Sequence, residues 1–85
     1  MKKVIIYTGQ RCAHCDWAKA LLNKKNVEFV EYNVSMDPKK RDEMLKKSNG
    51  LRTVPQIFIG DSHIGGNLEL QTLEREGKLD SLLKN

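Results

Sequence analysis

The stretch that decides the fold is KVIIYTGQRCAHC, residues 3–15. It begins with a β-branched and aromatic run that ends at Gly9, which predicts a buried strand over residues 3–8. Both cysteines of the chain, Cys12 and Cys15, follow this strand with two residues between them. Metal sites, structural disulfides and redox pairs all use this spacing, so the rest of the sequence must decide among them.

Size and composition describe one ordinary globular domain. The chain has 85 residues, of which 39% are hydrophobic and 31% charged, so we expect a single domain over residues 1–85. No apolar run approaches the roughly 20 residues of a transmembrane helix, and the run at residues 4–6 is shorter than the roughly 7–15 residues of a signal-peptide core. We therefore expect a cytoplasmic protein without membrane association. Thiols are kept reduced in that compartment, which favours a catalytic or metal-binding pair.

The net charge raises the question of a nucleic-acid partner. Lysine and arginine number 15 against 11 aspartate and glutamate, a formal charge of +4 at pH 7. The basic residues are spread among acidic ones, and Trp17, Phe29 and Phe58 fall at positions typical of a core. Because binding to single strands combines a basic groove with stacking aromatic side chains, we expect solvated helix faces and no nucleic-acid partner. A mild preference for anionic partners stays open.

The first half of the chain continues with a helix, a strand and a second helix. Apolar residues recur at helical spacing from residue 13 to about residue 25. Residues 27–34 alternate as in a strand. Asp37 and Pro38 form an N-cap and first-turn signal for the next helix, which Ser48-Asn49-Gly50 ends.

The second half predicts a hairpin and terminal helices. Residues 53–59 and 62–65 are short apolar runs joined by a Gly-Asp turn, as in an antiparallel hairpin. The leucines beyond residue 67 predict one or two amphipathic helices around a break at Gly77. This order predicts an α/β fold with a four-stranded mixed sheet flanked by helices, its first crossover parallel and right-handed. A Cys-x-x-Cys after the first strand is typical of a thioredoxin-like redox fold.

Helix geometry gives the two cysteines different roles. Cys12 precedes the predicted helix, where unpaired backbone N–H groups and the positive end of the helix dipole favour an anion such as a thiolate. Cys15 lies three residues further along the same face, about 5–6 Å away at Cβ and able to close to bonding distance. We therefore predict Cys12 as the attacking thiol and Cys15 as the resolving thiol. A stabilised Cys12 thiolate also leaves readily from a mixed disulfide.

Together with the cysteine pair, three later segments resemble the glutaredoxins. They are TVPQIFI at residues 53–59, IGG at residues 64–66, and GKLDSLL at residues 77–83, which is similar to the ending of bacterial dithiol members. The likeness extends over essentially the whole chain. It implies a glutathione-dependent thiol–disulfide oxidoreductase that reduces protein disulfides or glutathione mixed disulfides. Glutathione is then a co-substrate, no cofactor is covalently bound, and we expect a monomer.

The resemblance also implies a glutathione site. In it the proline of residues 53–55 is cis and presents the Val54 backbone to a peptide-like substrate, with an ordinary strand entry as the alternative. Gly66 and the next helix start would hold a γ-glutamyl carboxylate, unless the glycines form a plain turn. Arginines would bind the glycine carboxylate or else remain solvated. The implied residues are Arg11, His14, Arg41, Arg52, Thr53, Val54, Pro55, Gly66, Asn67 and Leu68.

Four positions depart from the family pattern. The usual Cys-Pro-Tyr-Cys is Cys-Ala-His-Cys at residues 12–15. The charge of a histidine such as His14 can change near neutral pH, so we expect activity to depend on pH unless the ring is simply exposed. The family lysine three residues before the first cysteine is Gly9. The aspartate expected after Gly-Gly-x is Leu68, followed by Glu69. The salt bridge to the α-amino group of glutathione is thus lost or rebuilt, and we expect weak affinity for glutathione.

Two other functions stay open. Glutaredoxins without the active-site proline can in some cases share a [2Fe–2S] cluster between two subunits through the first cysteine and glutathione, which Ala13 permits. A zinc-binding interaction module would join the cysteines to His14 or His63, but structural zinc usually needs four ligands and the chain has no second cysteine pair. No resident metal is therefore expected. Glutathione and thioredoxin reductase both stay open as electron donor.

Overall fold

The strands and helices follow the order that the sequence predicts. They are known from a computed structural model that describes residues 1–84, so Asn85, the last residue of the predicted domain, lies outside the described residues. The elements are β1 (Val4–Thr8), α1 (Ala13–Lys24), β2 (Val30–Asn33), α2 (Pro38–Lys47), β3 (Gln56–Ile59), β4 (Ser62–Gly65), α3 (Asn67–Arg75) and α4 (Leu79–Leu83). Within residues 1–84, no helix has the length and apolar character needed to span a bilayer.

The four strands form one mixed sheet in the order β2-β1-β3-β4. β1 and β2 run parallel, whereas β3 pairs antiparallel with both β1 and β4. This confirms the predicted four-stranded mixed sheet and the hairpin of β3 and β4. Tyr7, near the end of β1, lies opposite Gln56, the first residue of β3. The segment that leaves β1 and the segment that enters β3 therefore meet at one edge of the sheet.

Side chains of the central strands alternate between two cores on opposite faces of the sheet. Ile6 and Ile57 pack on the face covered by α1, α3 and α4, and Tyr7 and Phe58 pack on the face covered by α2. All four are at most 3% exposed. Because full burial of such a side chain stabilises the fold by about 1.5–3 kcal/mol, the two cores hold the strand ends in fixed positions.

Two strands start three residues later than predicted. β2 begins at Val30 because the chain first completes the end of α1: Asn26 takes a φ of 59°, and the Val27 N–H donates to the Leu22 carbonyl at 2.9 Å. β3 begins directly after Pro55, which has no N–H to donate to a strand ladder. Both delays come from backbone hydrogen bonding that alternation of side chains does not reveal.

Trp17, predicted in the core, and Leu68, one of the leucines of the predicted amphipathic helices, both lie at the surface. Trp17 is 55% exposed, because α1 turns Ala18 to the core and an adjacent helical residue points about 100° away. Leu68 is 65% exposed, since α3 buries Leu70, two residues further on. The helices were identified correctly, but their buried faces are rotated relative to these two residues.

Candidate active site

Cys12 is the N-cap of α1. Its backbone is extended, with φ −113° and ψ 99°, and its Sγ accepts a hydrogen bond from the Cys15 N–H at 3.0 Å. The Asp16 N–H donates to the Cys12 carbonyl at 3.2 Å and closes the first turn. The Cys12 sulfur therefore lies where the N–H groups and dipole of α1 favour negative charge.

The two sulfurs are joined in a disulfide, with the Cα atoms 5.2 Å apart. The prediction that this pair can close to bonding distance is confirmed. Cys15 is only 2% exposed, whereas Cys12 is partly exposed. An incoming substrate therefore meets Cys12 first.

The loop that enters β3 runs beside Cys12. The Val54–Pro55 peptide is cis, as the resemblance implies, and the Val54 carbonyl oxygen lies 3.7 Å from Cys12 Sγ. Gln56 is 2% exposed, and its Nε2 donates to the Thr53 carbonyl at 3.0 Å and to Thr53 Oγ1 at 3.1 Å. This buried amide holds the loop in place. Gln56 is absent from the predicted site, and its signal in the sequence is a polar residue within an apolar strand.

Gly9 packs closely against the same loop. A Cβ atom at residue 9 would come within 3.1 Å of Val54 Cγ2 and 3.2 Å of Ser35 Oγ. The Ser35 hydroxyl accepts from the Gln10 N–H at 3.1 Å and so ties the β2–α2 loop to the segment before Cys12. The lysine expected from the resemblance would require both neighbours of Gly9 to shift.

A cavity of about 420 Å³ lies between this loop and the start of α3. Seven residues of the predicted glutathione site line it, together with four further residues. The predicted residues are His14, Thr53, Val54, Pro55, Gly66, Asn67 and Leu68, and the others are Leu51, Gln56, Gly65 and Glu69. Arg11, Arg41 and Arg52 are exposed and do not line this cavity.

His14 is connected to α3 through two amides. Its Nδ1 lies 3.2 Å from Asn67 Nδ2, and Asn67 Oδ1 accepts from Gln71 Nε2 at 3.1 Å. Asn67 is 5% exposed, so its amide relies on these protein partners. Trp17 packs edge-on against the His14 ring, with centroids 5.0 Å apart.

Glu69 folds back onto the glycine pair at the start of α3. Its Oε1 accepts from the Gly66 N–H at 2.6 Å, as in a capping box. Gly65 has a φ of 114°, and a Cβ atom there would lie 2.9 Å from the same oxygen. The glycines thus let the Glu69 carboxylate approach the backbone, and the Gly66 amide already donates to it.

The largest pKa shift lies on the α2 face of the sheet. Burial raises the pKa of Tyr7 far above its ordinary value, and the hydrogen bond that its hydroxyl donates to Glu43 raises it further. The same hydrogen bond lowers the pKa of Glu43, assisted by Lys40, whose Nζ lies 3.2 Å from the carboxylate. These contacts connect α2 to the sheet, because Glu43 and Lys40 belong to α2 and Tyr7 belongs to the core on that face.

Neither histidine of the zinc alternative joins the cysteines. Within residues 1–84, no three His, Cys, Asp or Glu side chains are arranged to hold a metal ion. His14 Nδ1 is engaged by Asn67. His63 Nε2 lies 2.7 Å from Gln56 Oε1, and its ring stacks on Phe58 at 4.8 Å.

The chain is similar to proteins of one family over nearly its full length. A family model described as Glutaredoxin matches residues 4–64. Glutaredoxin 3 of Escherichia coli is 50% identical over 84 residues, which cover 99% of this chain and 100% of that protein. The solution structure of glutaredoxin from Brucella melitensis is 55% identical, with a TM-score of 0.84 over 99% of this chain and 90% of the other. A crystal structure of a buckwheat glutaredoxin–glutathione complex is 26% identical, with a TM-score of 0.84 over 96% of this chain and 76% of the other.

Proposed function

The chain belongs to the glutaredoxin family of thiol–disulfide oxidoreductases, and from this premise we propose that Cys12 attacks protein disulfides and glutathione mixed disulfides. Cys15 then resolves the adduct, and glutathione restores the dithiol. The observation that carries the proposal is the hydrogen bond from the Cys15 N–H to Cys12 Sγ, 3.0 Å long, at the start of α1. The more exposed sulfur lies where negative charge is stabilised, and its buried partner lies within bonding distance.

Reduction of a client proceeds by two exchanges between sulfurs. The Cys12 thiolate attacks one client sulfur, the client S–S bond breaks, and the other client sulfur leaves as a thiolate that takes up a proton. Cys15, as a thiolate, then attacks Cys12 Sγ, which breaks the bond to the client and releases its second thiol. The client gains two electrons, and the enzyme loses two as the Cys12–Cys15 disulfide forms.

Two molecules of glutathione return the enzyme to its dithiol form. The first thiolate attacks Cys12 Sγ, the more exposed sulfur, and frees Cys15. The second attacks the sulfur of the bound glutathione, releases Cys12 as a thiolate and leaves as glutathione disulfide. The start of α1 makes Cys12 a good leaving group in this last step, so we expect titration of the reduced protein to give a Cys12 pKa below that of a free thiol.

We assign glutathione to the cavity beside Cys12. The Val54 backbone, whose carbonyl lies 3.7 Å from Cys12 Sγ, offers an edge to the extended tripeptide. Asn67, at the start of α3, and His14 line the same cavity. A relative supports the assignment, since the similar buckwheat glutaredoxin is a glutathione complex. The remaining proposed contacts are Thr53, Pro55, Gly66 and Leu68 along the cavity, and the exposed Arg11, Arg41 and Arg52 for the glycine carboxylate.

The proposed setting is the cytoplasm, where glutathione is abundant and thiols are kept reduced. The working form is a monomer, and the partners are glutathione and proteins that carry disulfides. The [2Fe–2S] alternative has a separate test, which is visible absorption of protein purified anaerobically with glutathione.

A reduction assay with two electron donors tests the proposal. Wild type, Cys15→Ser and Ala18→Ser are given a protein disulfide or a glutathione mixed disulfide, with either glutathione and its reductase or thioredoxin reductase as donor. Ala18→Ser is the matched control, because it adds a hydroxyl to the same buried face of α1 and keeps both thiols. We expect the wild type and Ala18→Ser to use glutathione. Turnover supported only by thioredoxin reductase would contradict the assigned donor.

The Cys15→Ser variant separates the two routes. If it still reduces glutathione mixed disulfides, those substrates react through Cys12 alone. Loss of protein-disulfide reduction in the same variant assigns that reaction to the cysteine pair. Full activity on protein disulfides would show that Cys15 is not the resolving thiol.

A further inference from the structure

A chain of hydrogen bonds runs from the edge strand β4 to the loop beside Cys12. His63 Nε2 lies 2.7 Å from Gln56 Oε1, and Gln56 Nε2 lies 3.0 Å from the Thr53 carbonyl oxygen and 3.1 Å from Thr53 Oγ1. Gln56 is 2% exposed, whereas His63 and Thr53 are exposed. One buried amide therefore connects a surface histidine to a residue that lines the cavity.

The direction of each hydrogen bond in this chain follows from the Thr53 carbonyl. A carbonyl oxygen only accepts, so the Gln56 atom that faces it is the amide nitrogen. The amide oxygen then faces His63, and because that oxygen also only accepts, His63 donates from Nε2. The neutral ring with its proton on Nε2 and the charged ring both provide this donor. His63 therefore fixes which way the Gln56 amide points.

The sheet holds the His63 ring within reach of Gln56. His63 lies opposite Phe58 in the β3–β4 ladder, and the two rings stack with centroids 4.8 Å apart and planes 22° apart. Phe58 and Gln56 are two residues apart on β3, so their side chains share one face of the sheet. Phe58 is 3% exposed and belongs to the core on the α2 face. A core side chain therefore supports the ring whose nitrogen reaches Gln56.

The loop before β3 depends on side chains for its position. Residues 51–55 lie between α2 and β3 and belong to neither element. Ser48 holds the start of this loop through hydrogen bonds between its hydroxyl and the backbone. Gln56 holds its middle through Thr53. Val54 follows directly and provides the backbone edge assigned above to glutathione, so the position of this edge depends on the Thr53 contacts.

Resting on the proposed function, we propose that His63 is a positioning residue for glutathione. Its Nε2–H orients the Gln56 amide, and the amide holds the Thr53 carbonyl. The Val54 edge is thereby kept in place for the tripeptide. His63 lies outside the lining of this cavity, so it acts through Gln56 and not by contact with glutathione.

Two substrates separate positioning of glutathione from reactivity of the thiol. Both are the same short peptide with one cysteine, which forms a mixed disulfide with glutathione in one substrate and with 2-mercaptoethanol in the other. The reduced enzyme is mixed with each substrate without free glutathione, and the second-order rate constant for release of the peptide thiol is measured. Only the first substrate carries the tripeptide, so the ratio of the two rate constants measures use of the glutathione site. We expect the wild type to favour the glutathione substrate.

Two substitutions separate the donor of His63 from its ring. His63→Phe keeps a ring that can stack on Phe58 but has no donor, and it should lower the ratio by about threefold to tenfold, the loss expected for one hydrogen bond. His63→Gln is the matched control. It lacks the ring, but its amide nitrogen donates at a similar reach, so it should keep most of the ratio. Melting followed by circular dichroism checks that both variants fold.

A double-mutant cycle tests whether His63 acts through Gln56. Gln56→Leu removes the amide and should lower the ratio at least as much as His63→Phe does. If the histidine acts only through this amide, adding His63→Phe to Gln56→Leu should lower the ratio no further. A further loss in the double variant would overturn the proposed route. If Gln56→Leu does not fold, the two His63 variants decide the inference by themselves.

The remaining outcomes distinguish this inference from the proposed function. An unchanged ratio in His63→Phe, or an equal loss in His63→Phe and His63→Gln, overturns the role of the Nε2 donor and leaves the proposed function standing. A fall of both rate constants by the same factor in His63→Phe shows a general structural role and also overturns the inference. A wild type that reacts equally fast with the two substrates counts against the glutathione assignment itself.

Discussion

Two helices of this protein begin with the same backbone geometry, but the residues that precede them have different functions. Cys12 before α1 and Asp37 before α2 both have extended backbone, with φ −113° and −137°. Both side chains accept hydrogen bonds from N–H groups of the first turn: Cys12 Sγ accepts from Cys15 at 3.0 Å, and Asp37 Oδ1 accepts from Lys39 and Lys40 at 3.1 and 3.2 Å. At both helix starts, a side chain therefore accepts hydrogen bonds from N–H groups that have no partner within the helix.

The difference lies in the capping atom. A carboxylate oxygen caps a helix well but forms no covalent bond in that role, so Asp37 only stabilises α2. Sulfur is a weaker acceptor and a stronger nucleophile, and the N–H groups that it caps also stabilise its anion. The field at a helix start thus gives stability at Asp37 and reactivity at Cys12, and the chemistry of one atom decides between them.

The largest effect is expected when the sulfur cap is replaced by an oxygen cap. Serine is a strong N-cap residue, so Cys12→Ser should keep α1 and the unfolding midpoint of the reduced protein. Its turnover of glutathione mixed disulfides should fall on the order of a thousandfold or more, because the nucleophile is lost. Unfolding followed by circular dichroism and a coupled reductase assay measure the two quantities. Substantial remaining activity would place the nucleophile elsewhere.

Removing the oxygen cap should give the opposite pattern. Asp37→Ala loses two hydrogen bonds at the start of α2, which should cost about 1 kcal/mol of stability and lower the melting temperature by about 4–8 °C. We expect kcat/KM at 25 °C to be unchanged. Asp37→Ser is the matched control, because it keeps a capping oxygen and should retain most of the stability. A loss of activity without a loss of stability would contradict the conclusion that Asp37 only stabilises α2.

The start of α3 allows a test of whether an added carboxylate improves the binding of glutathione. Leu68 lies in the first turn of α3 and lines the cavity. Leu68→Asp should bind glutathione up to about fivefold more tightly, since an exposed ion pair with its ammonium group contributes about 0.2–1 kcal/mol. Calorimetry in a Cys12→Ser background avoids thiol exchange, and Met36→Asp controls for added charge. Unchanged affinity would show that glutathione does not extend to Leu68.

The smallest effect concerns a carboxylate that serves stability alone. Tyr7 donates to Glu43, and this hydrogen bond lowers the pKa of Glu43 below its ordinary value of 4.5. Between the lowered pKa and about pH 4.5, the unfolded chain therefore binds more protons at Glu43 than the folded chain does. The contribution of Glu43 to stability is fully present above about pH 4.5 and is lost as the pH falls through the lowered pKa. Glu43→Gln should be less stable than wild type by up to about 1 kcal/mol at pH 7.

Denaturant unfolding at several pH values checks this prediction. The difference between wild type and Glu43→Gln should shrink as the pH falls below about 4.5. A difference that stays constant down to pH 2 would show that the lost stability is not linked to ionisation of Glu43. Activity at neutral pH should be the same in both proteins, because Glu43 belongs to α2, which covers the face of the sheet opposite α1.

The sequence predicted the elements best where the signal lies within a few residues. Asp37 and Pro38 bound α2 as expected, and the Gly60 turn joins two antiparallel strands. It predicted less well where side-chain periodicity alone had to set a helix face. Trp17 fits a helical apolar pattern but lies outside the core, because the neighbouring Ala18 sets the face that α1 presents to the sheet.

The candidate site divides in the same way. The cysteine pair follows from local spacing, and the resemblance implied the cis Val54–Pro55 segment. The role of Gln56 in holding that loop and the return of Glu69 to Gly66 had only weak signals in the sequence. Both depend on where a loop places the backbone, which residue types alone do not specify.

By itself, the sequence determined the order of strands and helices and the identity of the reactive pair, because strand alternation, helix caps and a Cys-x-x-Cys spacing act over a few neighbouring residues. Only the tertiary structure decided that Val54 lies beside Cys12, 42 residues away, and that Asn67 engages His14 across 53 residues. It also placed Arg11, Arg41 and Arg52 outside the lining of the cavity. Contacts between distant segments depend on sheet register and core packing, which no local pattern contains.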